Sequence, residues 1–287
     1  MNGVPAGSVT ARIRGLQTSL TPSESAVARF VLDHADDIVS LSVEALAQRA
    51  SVSTATVMRL CRALGYSGFR EFKLALAFER GSSGPGVREV ELKPDDDPLQ
   101  VMRKVVQSEI RALEETLELV ELSALQAAVG ALAGARRIDI YGMGSSTPVV
   151  VDAYYRFLRI GLAVSTPPDS HMQSVAAATL EENDVAFIVS HTGRTQELLS
   201  AARLARQAGA TIVALTSFLR SPLLELADVG LVTAVQETTS GVEAMAARTA
   251  HLAVIDSLYV ALTMGGRERS QRSLARTQGA IDAQRVE

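Results

Sequence analysis

The chain has 287 residues, enough for about two domains. Its 47% hydrophobic and 21% charged residues support a packed core and exclude wholesale disorder, and 20 Gly and 9 Pro are too few for a low-complexity or collagen-like chain. The net charge of −4 hides an asymmetry: residues 43–80 hold six basic and three acidic side chains, an excess too small to argue for nucleic acid by itself.

Residues 8–80 read as helical. Thr21-Pro22-Ser23-Glu24 predicts a helix start, with Thr21 as N-cap, Pro22 in the first helical position and Glu24 closing a capping box. Val27, Phe30, Val31 and His34 follow on one face. A short helix is expected over 43–50 and another over 54–64, ended by Gly65. Gly68 to Arg80 carries Phe69, Phe72, Leu76 and the neighbouring Lys73 at helical spacing. Gly81-Ser82-Ser83-Gly84-Pro85-Gly86 and Lys93-Pro94-Asp95-Asp96-Asp97-Pro98 then mark a domain boundary. Helical pattern returns over 98–133. Beyond it, short apolar runs at Arg137–Tyr141, Leu162–Ser165, Val185–Ser190, Thr211–Thr216 and Val229–Thr233 alternate with helical segments, which implies a parallel sheet covered on both faces. A long helix is expected over 242–264. The tail from Gly265 has little apolar content after Leu274 and is expected to fray. No run approaches the roughly 18 apolar residues of a membrane span. The first fifteen residues lack the apolar core of a secretory signal, and the single Cys61 excludes an internal disulfide and a Cys-rich zinc site, so a reducing, cytoplasmic setting is expected. Cys61 itself reads as a small core residue.

Val43 to Arg62 carries the first functional signal. Leu46, Ala50, Val52, Val57 and Leu60 are apolar where two short, steeply crossing helices must bury side chains. Ala47 is small where they approach, and Ser53 is a good N-cap. This is the pattern of a helix-turn-helix, whose second helix enters the major groove. Ser53, Thr54, Ala55 and Thr56 then face bases or phosphates, Arg59 reaches a base or phosphate, and Arg62, Arg70 and Lys73 suit phosphates. Tyr66, Ser67 and Gly68 offer a hydroxyl and backbone N–H groups to the DNA backbone. Ser51 stands at the turn position usually given to glycine, so strain is expected there. The competing interpretation is a helical bundle with a Ser-capped helix and no DNA.

The second signal lies in two strand–loop–helix passages. Gly142-Met143-Gly144-Ser145-Ser146-Thr147 follows the first strand. Ser190-His191-Thr192-Gly193-Arg194-Thr195 follows the third. Glycines admit a close anion, and helix N-termini offer free N–H groups. The first loop lacks the third glycine of a dinucleotide fingerprint and the lysine of a P-loop. Two such loops at the C-terminal ends of parallel strands suggest a phosphate ester. Simple helix capping is the competing interpretation.

The combination resembles the RpiR family of bacterial transcription regulators, which join an N-terminal helix-turn-helix domain to a sugar isomerase (SIS) domain. Leu64-Gly65-Tyr66-Ser67-Gly68-Phe69, Asp169-Ser170-His171 and His251 to Tyr259 match further. The resemblance covers about residues 8–264. It implies an all-α helix-turn-helix domain (1–80), a linker (81–97), an α/β SIS domain with a five-stranded parallel sheet flanked by helices (98–265), and a C-terminal tail (266–287). It also implies a phosphosugar effector and dimerisation through the SIS domain. By matching position, Ser146 and Ser190 contact the phosphate, Thr192 stands where the family often has Ser, and Thr195 caps its helix and contacts phosphate. Gly142, Gly144 and Gly193 allow close backbone approach, with Ser145 beside them. Glu243, His251 and His171 are candidates to face the sugar, and Asp256 is expected to bond a neighbouring element or a partner subunit. The expected partners are double-stranded DNA with a palindromic operator, a phosphorylated sugar and a second copy of the chain, as homodimer or dimer of dimers. No membrane, cofactor, metal or catalytic residue is expected. The alternatives are a phosphosugar isomerase with an appended helical domain, and a DNA-binding protein whose SIS fold only dimerises.

Overall fold

The computed structural model describes residues 9–38, 41–82, 92–234 and 243–284. Its contacts form two compact units, Met1–Leu119 with Phe218–Arg220 and Ala234–Ala246, and Val120–Ser217 with Ser221–Thr233 and Ala247–Glu287.

The described part of the first unit is helical: α1 (Val9–Leu16), α2 (Pro22–Asp33), α3 (Ala35–Ile38), α4 (Val43–Arg49), α5 (Thr54–Ala63), α6 (Phe69–Ser82) and α7 (Pro98–Leu119). The capping box at Thr21 is present in both directions: Thr21 Oγ1 accepts from Glu24 N at 3.4 Å, and Glu24 Oε2 accepts from Thr21 N at 3.0 Å. Val27, Val31, Leu46, Val57, Leu60 and Phe72 fill the core between these helices, each contributing about 1.5–3 kcal/mol by leaving water. Cys61 is buried there as expected, and burial pushes its thiol up to about 12.

Two helices of this unit end in the same way. Ser51 N donates to Gln48 O and Val52 N to Ala47 O, with Ser51 at φ 54°. Gly65 N donates to Arg62 O and Tyr66 N to Cys61 O, with Gly65 at φ 90°. These are Schellman turns, which satisfy the last carbonyls of a helix by putting one residue into the left-handed region. Glycine meets that requirement after α5. Serine meets it after α4, so the expected strain is located at Ser51.

α7 begins with a cap that the sequence pattern did not announce. Asp97 Oδ1 accepts from Leu99 N and Gln100 N, both at 2.8 Å, and Gln100 Oε1 accepts from Asp97 N at 2.8 Å. Arg14 of α1 pairs with Glu115 at 2.8 Å, and Thr116 Oγ1 accepts from Ala234 N at 2.9 Å. The sequence-based boundary put residues from 98 onward in the second domain; these contacts group α7 with the first unit. Residues 218–220 belong to that unit too, with Leu219 N donating to Gly15 O and Arg220 Nη2 to Ala63 O.

The second unit holds α8 (Leu122–Gly134), β1 (Ile138–Tyr141), α9 (Thr147–Arg159), β2 (Val164–Ser165), α10 (Ser170–Ala178), β3 (Val185–Val189), α11 (Gln196–Gln207), β4 (Thr211–Thr216), α12 (Pro222–Leu226), β5 (Val229–Val232), most of α13 (Glu243–Gly265) and α14 (Arg267–Asp282). The strands form one parallel sheet in the order β2-β1-β3-β4-β5. Ile138, Ile140, Phe187 and Leu215 bury one face under α8, α9 and α13, and Tyr141, Ile188 and Ile212 bury the other under α10, α11 and α12. Both faces are covered, as the continuous apolar runs required. The strands are shorter than the runs at Arg137, Leu162, Ser190 and Thr233. Arg137 O, just before β1, accepts from Val185 N at 2.9 Å, and the Arg137 guanidinium binds Asp139 at 2.9 and 2.7 Å.

The tail departs from expectation. α14 runs to Asp282, buries Ser270 and Ser273, and packs Leu274 on the core. A Cβ at Gly161 would lie 3.1 Å from Ser273, so small residues on both sides set a close helix approach. Hydrophobic patterning is blind to a contact made by serine and glycine. Among the described residues, no single helix is long and apolar enough to cross a membrane.

Replacing Ser51 with Gly is expected to raise stability by about 1 kcal/mol, since a left-handed non-glycine residue costs about 1–2 kcal/mol and glycine loses somewhat more backbone entropy on folding. Denaturant midpoints of the two proteins check this, and a lower midpoint for Ser51→Gly would contradict it.

Candidate nucleic-acid and anion-binding sites

α5 is the expected recognition helix, and its N-terminus is built from side-chain bonds. Ser53 caps it, accepting from Thr56 N at 3.2 Å. Thr54 and Ala55 are exposed in the first turn. Thr56 is not available to bases: it is buried, bonded to Ser53 Oγ at 3.0 Å, and accepts from Arg59 Nη2 at 3.1 Å. Arg59 also pairs with Glu24 at 3.5 Å while its side chain stays 58% exposed. Hydrogen bonds from Thr21, with the Arg59 charge beside them, hold the Glu24 carboxyl below its usual range, against the opposing effect of burial. The capping residue of α2 thereby fixes the direction of an arginine on α5.

Arg62 and Arg70 are exposed and suit phosphates. Two further residues of the expected set are engaged within the unit. Tyr66 is buried edge-on against Phe72, with ring centroids 5.7 Å apart, so its hydroxyl does not reach a DNA backbone. It is the residue after the left-handed Gly65, and that turn drives it into the core. Lys73 donates to Leu41 O at 2.8 Å and lies over the Phe69 ring, so its ammonium is engaged within the unit. The exposed surface left by these assignments is Ser53, Thr54, Ala55, Arg59, Arg62 and Arg70.

In the second unit the strand order reverses between β1 and β3, and open parallel sheets bind ligands at such a switch point. The register Tyr141↔Ile188 sets the two glycine-containing loops side by side. A Cβ at Gly142 would clash with Val150 Cγ2 and lie 3.2 Å from Val189 O, so the first loop lies close against the end of β3. Gly193 is at φ 62°, and a Cβ there would stand 2.4 Å from Ser221 Oγ. Conformation and space both demand glycine. Gly144 and Ser145 are exposed at the tip of the first loop.

The hydroxyls are disposed differently from simple caps. Ser146 and Thr195 occupy the N-cap positions of α9 and α11, and neither side chain makes a capping bond. The expected cap at Thr195 is therefore absent. Ser190 is buried and its Oγ accepts from Gly193 N at 3.2 Å; Thr192 Oγ1 accepts from Arg194 N at 3.3 Å. A hydroxyl that accepts from the backbone keeps its own O–H to donate. Helix N-termini and donor hydroxyls together favour an anion.

Gln173 was not legible as a site residue. It is buried on α10, and its Nε2 donates to Gly142 O at 3.1 Å, tying the first loop down. Asp169 caps α10 by accepting from Met172 N at 2.8 Å, which sets Gln173 one turn into the helix.

Behind the second loop lies a buried polar cluster. His191 Nδ1 is 3.0 Å from Ser217 Oγ, which is also 3.0 Å from Thr233 Oγ1 and 3.1 Å from His251 Nε2. His251 therefore bonds to Ser217 from a buried position in α13. Burial, with a smaller effect from His191, pushes its imidazole down to about 3, and burial lowers His191 as well. His171 is exposed on the first turn of α10. The side chain of Glu243 lies outside the described residues. Asp256 pairs with Arg156 of α9 at 3.1 Å, a bond to a neighbouring element of its own chain.

A profile of the helix-turn-helix domain of the rpiR family matches residues 7–83, and a profile of the SIS domain matches residues 131–261. Over 283 residues the chain is 35% identical to an uncharacterized helix-turn-helix-type transcriptional regulator of Haemophilus influenzae, covering 98% of each. Over 254 residues it is 35% identical to another such regulator, of Caldanaerobacter subterraneus subsp. tengcongensis, covering 88% of this chain and 89% of the relative. Among solved structures it is similar to the Vibrio vulnificus NanR protein complexed with ManNAc-6P. That likeness has a TM-score of 0.62 at 28% identity and covers 98% of this chain and 100% of the other.

The two histidines make stability depend on pH. His251 is neutral when folded and has an ordinary value of 6.5 when exposed, so its contribution is complete above pH 6.5. It is lost at about 1.4 kcal/mol per pH unit as pH falls from there toward 3. His251→Gln is expected to shrink the loss of stability between pH 6.5 and 5 by about 1–2 kcal/mol. Denaturant midpoints at the two pH values give the comparison, and an unchanged loss would reject the assignment.

Proposed function

We propose, since the chain belongs to the RpiR-type family of helix-turn-helix transcriptional regulators with a SIS domain, that it binds operator DNA with an affinity set by a phosphosugar. In this proposal α5 enters the major groove. Thr54, Ala55 and Arg59 read base edges, while Ser53, Arg62 and Arg70 hold phosphates. The phosphate of the effector sits at the N-termini of α9 and α11, on Ser146, Ser190, Thr192 and Thr195, with Gly142, Gly144, Ser145 and Gly193 lining the approach. Target genes are those of carbohydrate metabolism. The protein acts as a dimer or dimer of dimers on a palindromic site, because a two-fold protein matches a two-fold operator.

The observation that carries the ligand half is the pair of N-cap hydroxyls, Ser146 and Thr195, that cap nothing at adjacent helix starts. A purely structural role for these loops would use them as caps. The relative solved with ManNAc-6P supports a sugar phosphate as the ligand class. The placement of His251 supports binding without turnover, since its Nε2 is committed to Ser217 inside the protein.

The deciding experiment titrates the purified protein against its own upstream DNA, with salt and with a panel of sugar phosphates and their unphosphorylated forms. Expected are a steep salt slope and a response to one sugar phosphate that its unphosphorylated form does not give. Ser190→Ala should weaken that response by about 1–3 kcal/mol while DNA binding without effector stays the same. Arg59→Ala should cost about 1–3 kcal/mol on the specific site, whereas Arg62→Ala should weaken all sequences alike and lower the salt slope by about one. Specific DNA binding with no response to any sugar phosphate would leave a SIS fold that only dimerises, and turnover of the panel would point to an isomerase.

A further inference from the structure

The two carboxylate oxygens of Glu24 have different partners. Oε2 accepts from Thr21 N at 3.0 Å and from Thr21 Oγ1 at 2.7 Å, which closes the cap of α2. Oε1 faces Arg59 of α5, with Nε at 3.5 Å. The Glu24 side chain is 12% exposed and that of Arg59 58%, so the carboxylate is a fixed base and the arginine reaches outward from it. Arg59 is held a second time, since its Nη2 donates to Thr56 Oγ1 at 3.1 Å. Thr56 Oγ1 is in turn 3.0 Å from Ser53 Oγ. A guanidinium carries five N–H groups, one on Nε and two on each Nη. Glu24 and Thr56 engage Nε and one N–H of Nη2. The other three, two on Nη1 and one on Nη2, have no partner among the described residues. The arginine is thus held along one side, and its Nη1–Nη2 edge carries the N–H groups left to donate.

We infer that Glu24 is a specificity-determining residue of the DNA site: it holds Arg59 so that the Nη1–Nη2 edge selects a guanine. This rests on the regulatory reading, in which α5 enters the major groove, and adds to it the base and the residue that enforces the choice. Two parallel donors match O6 and N7 of guanine, which lie side by side in the major groove. Adenine puts a donor beside its N7, cytosine presents a donor, and thymine offers one acceptor next to a methyl group. A free arginine loses rotamer freedom when it docks on a base, and the contacts with Glu24 and Thr56 remove much of that freedom before DNA arrives. The carboxylate has a second effect of opposite sign. It repels DNA phosphates at every sequence alike, so it lowers sequence-independent attraction while it sharpens the choice of base. Glutamine separates this role from the cap. In Glu24→Gln a side-chain oxygen still closes the capping box, but no negative charge faces Arg59.

Selection of binding sites from randomised duplex DNA, by the full chain and by its variants, tests the inference. The wild-type chain should enrich a motif that contains guanine. Arg59→Ala should lose the preference at one of those guanines, about 5- to 150-fold in relative affinity, and keep the preferences elsewhere. Glu24→Gln should reduce the preference at that same position about two- to tenfold, while its binding to unrelated DNA stays equal or tightens. Replacing that guanine with 7-deazaguanine, which lacks the N7 acceptor, should weaken the wild-type chain and leave Arg59→Ala unaffected. A wild-type chain that enriches no motif overturns the inference together with the regulatory reading. A motif whose guanine preferences all survive Arg59→Ala, or one that loses a base other than guanine, overturns the inference alone. An unaltered motif in Glu24→Gln overturns the role of Glu24. A drop shared by all positions, with a lowered denaturant midpoint, makes Glu24 a helix cap only and overturns it as well.

Discussion

Parallel pairing of β1 with β3, from Ile138↔Val185 to Tyr141↔Ile188, is the constraint on which the second unit depends. The strands are not consecutive, so their loops meet only because β2 turns outward to the other edge of the sheet. At the starts of the pair lie two partnered buried carboxylates, of which Asp184 ties the β3 side to the segment before β1. Asp139 receives Arg137, Tyr141 and Ser165, and Asp184 receives Arg136 at 3.0 and 2.7 Å together with Glu181 N. A buried carboxylate without such partners costs several kcal/mol, so a slip of one residue is strongly opposed. At the other ends the same register juxtaposes Gly142 with Val189, and the two helix N-termini follow.

The helical unit solves a different problem, that of holding a short helix in one orientation. α5 spans ten residues, below the length at which an isolated helix is stable. Its stability comes from the packing of Val57, Leu60 and Cys61 and from closed ends. Ser53 satisfies the start, and the turn at Gly65 satisfies the finish. The chain of bonds from Thr21 through Glu24 and Arg59 to Thr56 and Ser53 joins the starts of α2 and α5. An exposed arginine whose direction is set beforehand loses less freedom in any contact it makes.

Buried polarity behind the second loop follows the same logic. Three side chains share the hydroxyl of Ser217, and the histidines escape the cost of burial by remaining neutral. The residue adjoining this cluster is Ser190, so the loop that presents hydroxyls outward is anchored by hydroxyls and imidazoles inward.

Local signals determined much of this protein. The capping box at Thr21, the Ser53 cap, the left-handed positions at Ser51 and Gly65, and the five apolar runs are each set by neighbours within a few residues, and such signals survive in sequence alone. The two-unit order and the glycine–hydroxyl loops were legible for the same reason. Tertiary structure decided what depends on a distant partner. Tyr66 and Thr56 looked like surface donors and are buried, because a turn and a neighbouring arginine claim them. Lys73 is held by Leu41, thirty-two residues away, and Gln173 finds Gly142 across the sheet edge. The tail folds as α14 because serines fit against Gly161, a complementarity of small shapes that hydrophobic patterning does not register. Sequence specifies directly the groups that bond to near neighbours; which far group fills a given space is settled only when the chain packs.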